Sequence, residues 1–380
     1  MLKTKQTKKK SVLIAGILQP WNHPRMFEKG AKVLQENGWD CTVFGSSGNS
    51  NPVNSNGIRV ITGDFIAGSW YSRLKAHFKV LRLCFALKPD VLHMHSPDLA
   101  WIGALNKIIR KNKYNLDLHE DHFDNIKERY KKKAILIHLF KSLVWINEFL
   151  FFDFADTIIV AEESYSRVLN KYPQKTIIIR NFALPFIPKQ KSYSNPENYI
   201  LFYGTLSEEW GVFKAIELWQ TLNKYRKTNL VIAGYSAASN TIVEKILHKV
   251  EPKNLNSFTL LGVKEFISPE KIRTLISNSL FVLAPYQYAE HISLKVPSKV
   301  YETLACNRKI VLPSFFKFLQ KSELTQGIIA LDFTQNSEEI IKQLLGIIEN
   351  PDNLKSYVDK QFWNWNTEGL KLLDIYKRLS

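Results

Sequence analysis

Short apolar runs that do not alternate with polar residues recur along the chain, and each has the pattern of a strand buried on both faces of a parallel sheet. The first half carries them at 12–18 (VLIAGIL), 41–45, 58–61, 91–94 (VLHM), 115–118, 157–161 (TIIVA) and 176–179 (TIII). Between them, 26–37, 71–87, 99–110 and 134–152 repeat apolar positions at helical spacing, and Gly38 can end the first of these helices in a left-handed conformation. Residues 183–197 then hold three prolines and no periodicity, the composition of an interdomain linker. The alternation restarts beyond it. Strands are predicted at 199–203, 230–233, 258–261, 280–285, 310–312 and 328–331, and helices at 212–226, 241–250, 269–277, 338–349 and 362–379. This order predicts an α/β chain with two doubly wound parallel sheets, and ligands of such sheets sit beyond the carboxyl ends of the strands.

One stretch carries candidate chemistry. HISLKVPSKVYETLAC, 291–306, follows the run LFVLAP at 280–285. Pro297 suits the first turn of a helix, and Val300, Tyr301, Leu304 and Ala305 repeat towards a core. Lys299 and Glu302, three apart, then project from one face near the start of the helix. A lysine there suits a phosphate, and a glutamate accepts hydrogen bonds from paired sugar hydroxyls. A nucleoside diphosphate offers both partners, while an ordinary surface Lys–Glu pair is the other reading of the same residues.

Charge narrows the partner. The net charge is +17, and residues 1–190 carry 29 Lys and Arg against 16 Asp and Glu, so most of the excess lies in the first half. That balance points to an anionic membrane surface, a phosphorylated substrate or a nucleic acid. The stretch 134–152 (AILIHLFKSLVWINEFLFF) follows Lys131, Lys132 and Lys133 and is the most apolar helix. It reads either as an interior helix, the favoured reading, or as one lying in a membrane surface. Cys41, Cys84 and Cys306 are scattered and read as reduced thiols of a cytoplasmic protein. Neither a cleavable leader nor a membrane-spanning run is expected.

Several pieces in order resemble the retaining glycosyltransferases of family 4: HPRMFEKGAKVLQENGWDCTVFG (23–45), PDVLHMHSPDLA (89–100), DLHEDHFD (117–124), IIIRNFA (177–183), LFYGTLSEEWGVFKAIE (201–217), VPSKVYETLACNRKIV (296–311) and WNTEGLKLLDIYKRL (365–379). The resemblance implies a GT-B architecture of two Rossmann-like domains facing a central cleft. Residues 1–185 would form the acceptor side and 186–360 the nucleotide-sugar side, with 361–380 packing back on the first domain. It also implies that Glu302 binds the donor ribose and Lys299 neutralises the diphosphate. Gly204 and Thr205 would lie beneath the phosphates, and Gly262 and Val263 at the base. His291, Ile292, Ser293, Leu294 and Lys295 would hold the transferred sugar. His119 would stand near the reacting carbon, sharing the acceptor side with His23, Arg25, His95 and Glu120. Catalysis would fall to His119, Lys299 and Glu302.

The sequence departs from the family at several points, among them Asn307 where glycine is usual. Leu294 stands where the first glutamate of the paired-glutamate motif would fall, and Thr205 and Trp210 stand where a basic pair is usual, with Lys214 or Lys295 available to replace it. A degenerate subunit that binds a partner or glycan without turnover is therefore the alternative to an enzyme.

Other chemistries fit less well. His93 and His95 alternate along a strand end and could bind a metal, but HEDH falls one residue short of H-E-x-x-H and follows a strand. A metal-independent transfer without a cofactor is expected, the nucleotide sugar being a co-substrate. No G-x-G-x-x-G or P-loop occurs, and the diffuse charge lacks a recognition helix, which disfavours nucleic acid. His23 and Arg25 on the first loop suit an acceptor phosphate, and Asn181 either contacts ligand or caps a turn. The expected partners are a nucleoside-diphosphate sugar and a glycan or lipid-linked acceptor. The expected location is cytoplasmic, extending to peripheral attachment at the membrane face.

Overall fold

The computed structural model describes residues 9–46, 57–63, 70–118, 134–185, 197–236, 239–263, 267–320, 327–349 and 364–379. The chain forms two units, one of Met1–Asn181 with Asn366–Ser380 and the other of Phe182–Trp365.

The first unit is built on β1 (Ser11–Pro20), β2 (Asp40–Ser46), β3 (Arg59–Gly63), β4 (Val91–Met94), β5 (Lys113–Leu118), β6 (Thr157–Val160) and β7 (Thr176–Ile178). All pairings are parallel, in the order β3-β2-β1-β4-β5-β6-β7. Every residue of β4 and β6 is buried, which is why these strands read as near-continuous apolar runs, broken only by His93 and Thr157. The order reverses direction between β1 and β4. The second unit repeats the design with β8 (Tyr199–Thr205), β9 (Asn229–Tyr235), β10 (Phe258–Val263), β11 (Val282–Leu283), β12 (Ile310–Pro313) and β13 (Ile328–Leu331). Its parallel order is β10-β9-β8-β11-β12-β13, and it reverses between β8 and β11. Such a reversal splays the loops at the strand ends and opens a crevice there.

Four local expectations need correction. The helix expected at 26–37 begins as a wide π turn, Phe27–Ala31, and continues as Lys32–Glu36. Lys29 N–H reaches Pro24 C=O at 2.8 Å, and glycine at 30 keeps this approach open, because a Cβ there would lie 3.1 Å from the Arg25 carbonyl oxygen. Pro297 stands just outside its helix, Ser298–Ala305, with ψ 136 in the extended range. The segment 291–295, read as a loop, contains the helical turn Glu290–Ser293. The apolar stretch after Lys133 is a helix, Ala134–Phe151, but it is not interior: Ile135, Leu139, Leu143, Trp145, Ile146, Phe149 and Leu150 are exposed.

The terminal helix Trp365–Leu379 joins the first unit through Tyr376, whose hydroxyl lies 2.8 Å from His93 Nδ1. Glu368 on the same helix accepts Arg180 N–H at 2.8 Å. Cys41, Cys84 and Cys306 are buried and form no disulfide.

Candidate active site

In the second unit the reversal point collects the residues singled out in the sequence. Gly204 (φ +107) near the end of β8, Gly234 in β9 and Gly262 (φ +85) in β10 are in register across three neighbouring strands. A Cβ on Gly234 would fall 1.9 Å from the Gly204 carbonyl oxygen, so this row tolerates no side chain. Val263, next to Gly262, is also left-handed at φ 67. Thr205 closes β8 and is exposed.

The Ser298–Ala305 helix is anchored by buried Val300, Tyr301 and Leu304, which leaves Lys299 and Glu302 half-buried on its other side. Lys299 leans over Gly204, where a Cβ would meet its Cε at 2.8 Å. Its ammonium lies 5.1 Å from the ring centroid of Phe202, 5.7 Å from Tyr203, 6.0 Å from Trp210 and 5.0 Å from Tyr286. It makes no ion pair or hydrogen bond to a protein acceptor among the described residues. Burial lowers its pKa to about 8 against the opposing pull of the Glu302 carboxylate. Glu302 accepts the Tyr203 hydroxyl at 2.9 Å, and burial together with that carboxylate holds the Tyr203 phenol well above its ordinary pKa. An ammonium that makes no ion pair among the described residues and the Glu302 carboxylate thus lie on one side of the helix, near Trp210 edge-on to Tyr286 at 5.2 Å. This arrangement can bind an anion beside a donor of paired hydroxyls.

The other donor-side residues are distributed unevenly. Ile292 and Ser293 are buried, with Ser293 Oγ donating to Glu290 C=O at 2.7 Å. His291 and Lys295 are half-buried, and Leu294 is exposed. Lys214 is committed elsewhere, 2.9 Å from Glu217 and 3.0 Å from Ser337. Three site residues were not singled out in the sequence. Gly234 carried no motif. Tyr203 and Tyr286 looked like ordinary strand and loop aromatics, and only their meeting at Lys299 distinguishes them.

In the first unit, Arg25 points inward. Its Nε and Nη2 hold Asp117 at 2.9 Å, and its Nη1 donates to Ile179 C=O at 3.0 Å and Asn181 Oδ1 at 2.7 Å. Only one N–H of the fork remains, so Arg25 does not present the bidentate face expected for an acceptor phosphate. Asn181 serves as its acceptor. His23 is driven down to about 4, first by burial and then by Lys29 and Arg25, so it is a neutral imidazole near pH 7. His93 and His95 stack 4.6 Å apart at 8° and stand 3.5 and 3.6 Å from Asp117. Their ligand atoms and that of Asp117 lie within 4.8 Å of one another. Two nearly parallel rings cannot aim their in-plane lone pairs at one ion, and Asp117 already faces a guanidinium. The cluster reads as a buried polar layer under Tyr376, which bonds His93. His119 and Glu120 lie outside the described residues.

Two family models match the chain, Glycosyltransferase Family 4 over residues 29–183 and Glycosyl transferases group 1 over 185–360. Among solved structures it is similar to sucrose-phosphate synthase from Thermosynechococcus elongatus, at 13% identity, 98% and 99% coverage of the two chains and a TM-score of 0.70. It is similar to HepE from Anabaena in complex with UDP-glucose at 12% identity, 97% and 99% coverage and a TM-score of 0.65. A glycosyltransferase from Rickettsia africae matches at 13% identity, 98% coverage of both chains and a TM-score of 0.63. No curated protein matches at the level of sequence. At such identities the structures show the fold, two parallel-sheet α/β units of the GT-B kind.

Proposed function

The chain belongs to the glycosyltransferases of family 4 and group 1, and from that premise we propose that it moves a sugar from a nucleoside diphosphate to a hydroxyl of a glycan or lipid-linked acceptor, with retention. The observation that carries this reading is the Lys299 ammonium, held over Gly204 with no ion pair among the described residues and three positions from Glu302. The donor diphosphate takes the lysine, the ribose hydroxyls take Glu302, and the glycine row lets both approach the backbone. The bond from the anomeric carbon to the diphosphate breaks, and the acceptor oxygen bonds to the same face. The hydroxyl proton passes to the departing phosphate oxygen. Lys299 then works electrostatically, stabilising the charge that gathers on the leaving group, and no metal or cofactor is required in this reading. His23, His119 and Glu120 are assigned to the acceptor, while the buried His95 supports that side from beneath. Polysaccharide or glycolipid assembly at the cytoplasmic membrane face is the setting that suits such an acceptor and a basic first half.

HepE in complex with UDP-glucose supports a uridine donor as the first to try. The test is isothermal titration with UDP, GDP and ADP, repeated on Glu302→Ala. One nucleotide should bind and weaken about tenfold or more in the variant, about 1.4 kcal/mol. Failure of all three to bind would overturn the reading.

A further inference from the structure

Away from that site, the first unit presents an apolar surface that the transfer reaction does not use. On the helix Ala134–Phe151, Ile135 is 83% exposed, Phe149 58%, and Leu139 and Trp145 52% each. At about 100° per residue, these and Leu143, Ile146 and Leu150 fall within one arc about 160° wide. Only His138 and Ser142 interrupt it. The one acid of the helix, Glu148, is 1% exposed and turned inward, paired with Arg167 and with Lys171 at 3.6 Å. Two cations share this one acid, and Lys107 and Lys113 share Asp156 at 2.6 and 3.9 Å, so positive charge is in excess beside the arc. Lys171 also lies 5.8 Å from the ring centroid of Phe149, and Trp145 stacks on Phe149 at 5.4 Å. On the neighbouring Ala100–Arg110 helix, Ile108 and Ile109 are exposed beside Lys107 and Arg110. Lys131, Lys132 and Lys133 precede the first helix directly in the sequence.

We propose that this face docks on an anionic lipid bilayer, with the helix lying in the interfacial plane. Charge complementarity selects the occupant. A second copy seated two-fold on the same face would set these cations against each other, whereas acidic headgroups pair with them while the aromatic and aliphatic side chains enter the acyl boundary. A tryptophan stacked on a phenylalanine suits that boundary. Among the described residues no helix is long and apolar enough to cross a membrane, so the contact lies on the surface. This inference rests on the membrane-face setting proposed above and gives it an address.

The test is cosedimentation of the full chain with phosphatidylcholine vesicles, with and without phosphatidylglycerol, in the absence of nucleotide or sugar. Wild type should sediment with the acidic vesicles, less so at high salt. The combined Leu139→Ser, Trp145→Ser and Phe149→Ser variant should lose about tenfold or more in partitioning, and Lys141→Glu, on the same helix about 40° beyond the edge of the arc, should lose several-fold. Both variants should keep the nucleotide affinity of wild type, which shows that they fold. Unchanged partitioning of the triple variant, no binding to either vesicle, salt-independent binding, or a concentration-dependent dimer abolished by the triple variant would each overturn the proposal. Because the vesicles carry no substrate, failure here leaves the donor reading intact.

Discussion

The Tyr203 hydroxyl donates to Glu302 Oε2 at 2.9 Å, tying β8 to the helix that carries Lys299. Tyr203→Phe should cost about 1 kcal/mol of stability, the net worth of one such bond, measured by urea unfolding. Nucleotide affinity should fall only a few-fold, since the carboxylate itself remains. A loss as large as that of Glu302→Ala would show that the phenol contacts the ligand directly.

Gly204 has φ +107, and a Cβ there would crowd Lys299 Cε at 2.8 Å. Gly204→Ala should destabilise the fold by about 1–2 kcal/mol and displace the lysine. In a double-mutant cycle with Lys299→Ala, the steric part should vanish, so the double variant is less destabilised than the two single costs together. Strict additivity in unfolding midpoints would show that the lysine does not lean on the glycine.

Lys299 sets a pH dependence. Burial lowers it from 10.5 to about 8, so below that value the folded chain holds a cation it disfavours. Stability without ligand should therefore rise as pH climbs from about 8 towards 10.5, where the unfolded lysine still binds a proton and the folded one has lost it. Diphosphate affinity should move the opposite way, weakening above about pH 8 as the ammonium disappears. Lys299→Met should remove both trends in titrations across that window.

Arg25 and Asp117 form a buried pair at 2.9 Å, with neither side chain more than 5% exposed. Arg25→Ala leaves Asp117 beside His93 and His95 without its counter-ion, and the expected cost is about 3–5 kcal/mol. Replacing both partners with apolar residues, Arg25→Met with Asp117→Leu, should recover part of that cost in thermal unfolding. Equal loss in the single and double variants would contradict the pairing.

The strands were legible because burial on both faces favours apolar residues at nearly every position, a local rule that β4 and β6 follow except at His93 and Thr157. Lys299 and Glu302 were legible because helical spacing places them on one face whatever surrounds the helix. The partners of Arg25 were not. Asp117 lies 92 positions away, and the arginine turned inward because a buried carboxylate, the Ile179 carbonyl and the Asn181 side-chain oxygen awaited it, which no local pattern records. The aromatic setting of Lys299 was hidden for the same reason, its rings coming from β8, the loop after it and the loop after β11. The reading of the Ala134–Phe151 helix as interior treated hydrophobicity as burial, although the one acid, not the apolar majority, faces inward.

Tyr376 reaches His93 from the last described helix, so the first unit is discontinuous in the chain while the second is contiguous. On the ribosome, the strands of the first unit emerge early but wait for the whole second unit before the element that covers His93 is synthesised. The second unit has every residue it needs as soon as it emerges. Of the two units, the one whose strands emerge first is therefore completed last, and a nascent chain halted after the second unit exposes the polar layer of the first to chaperones and proteases.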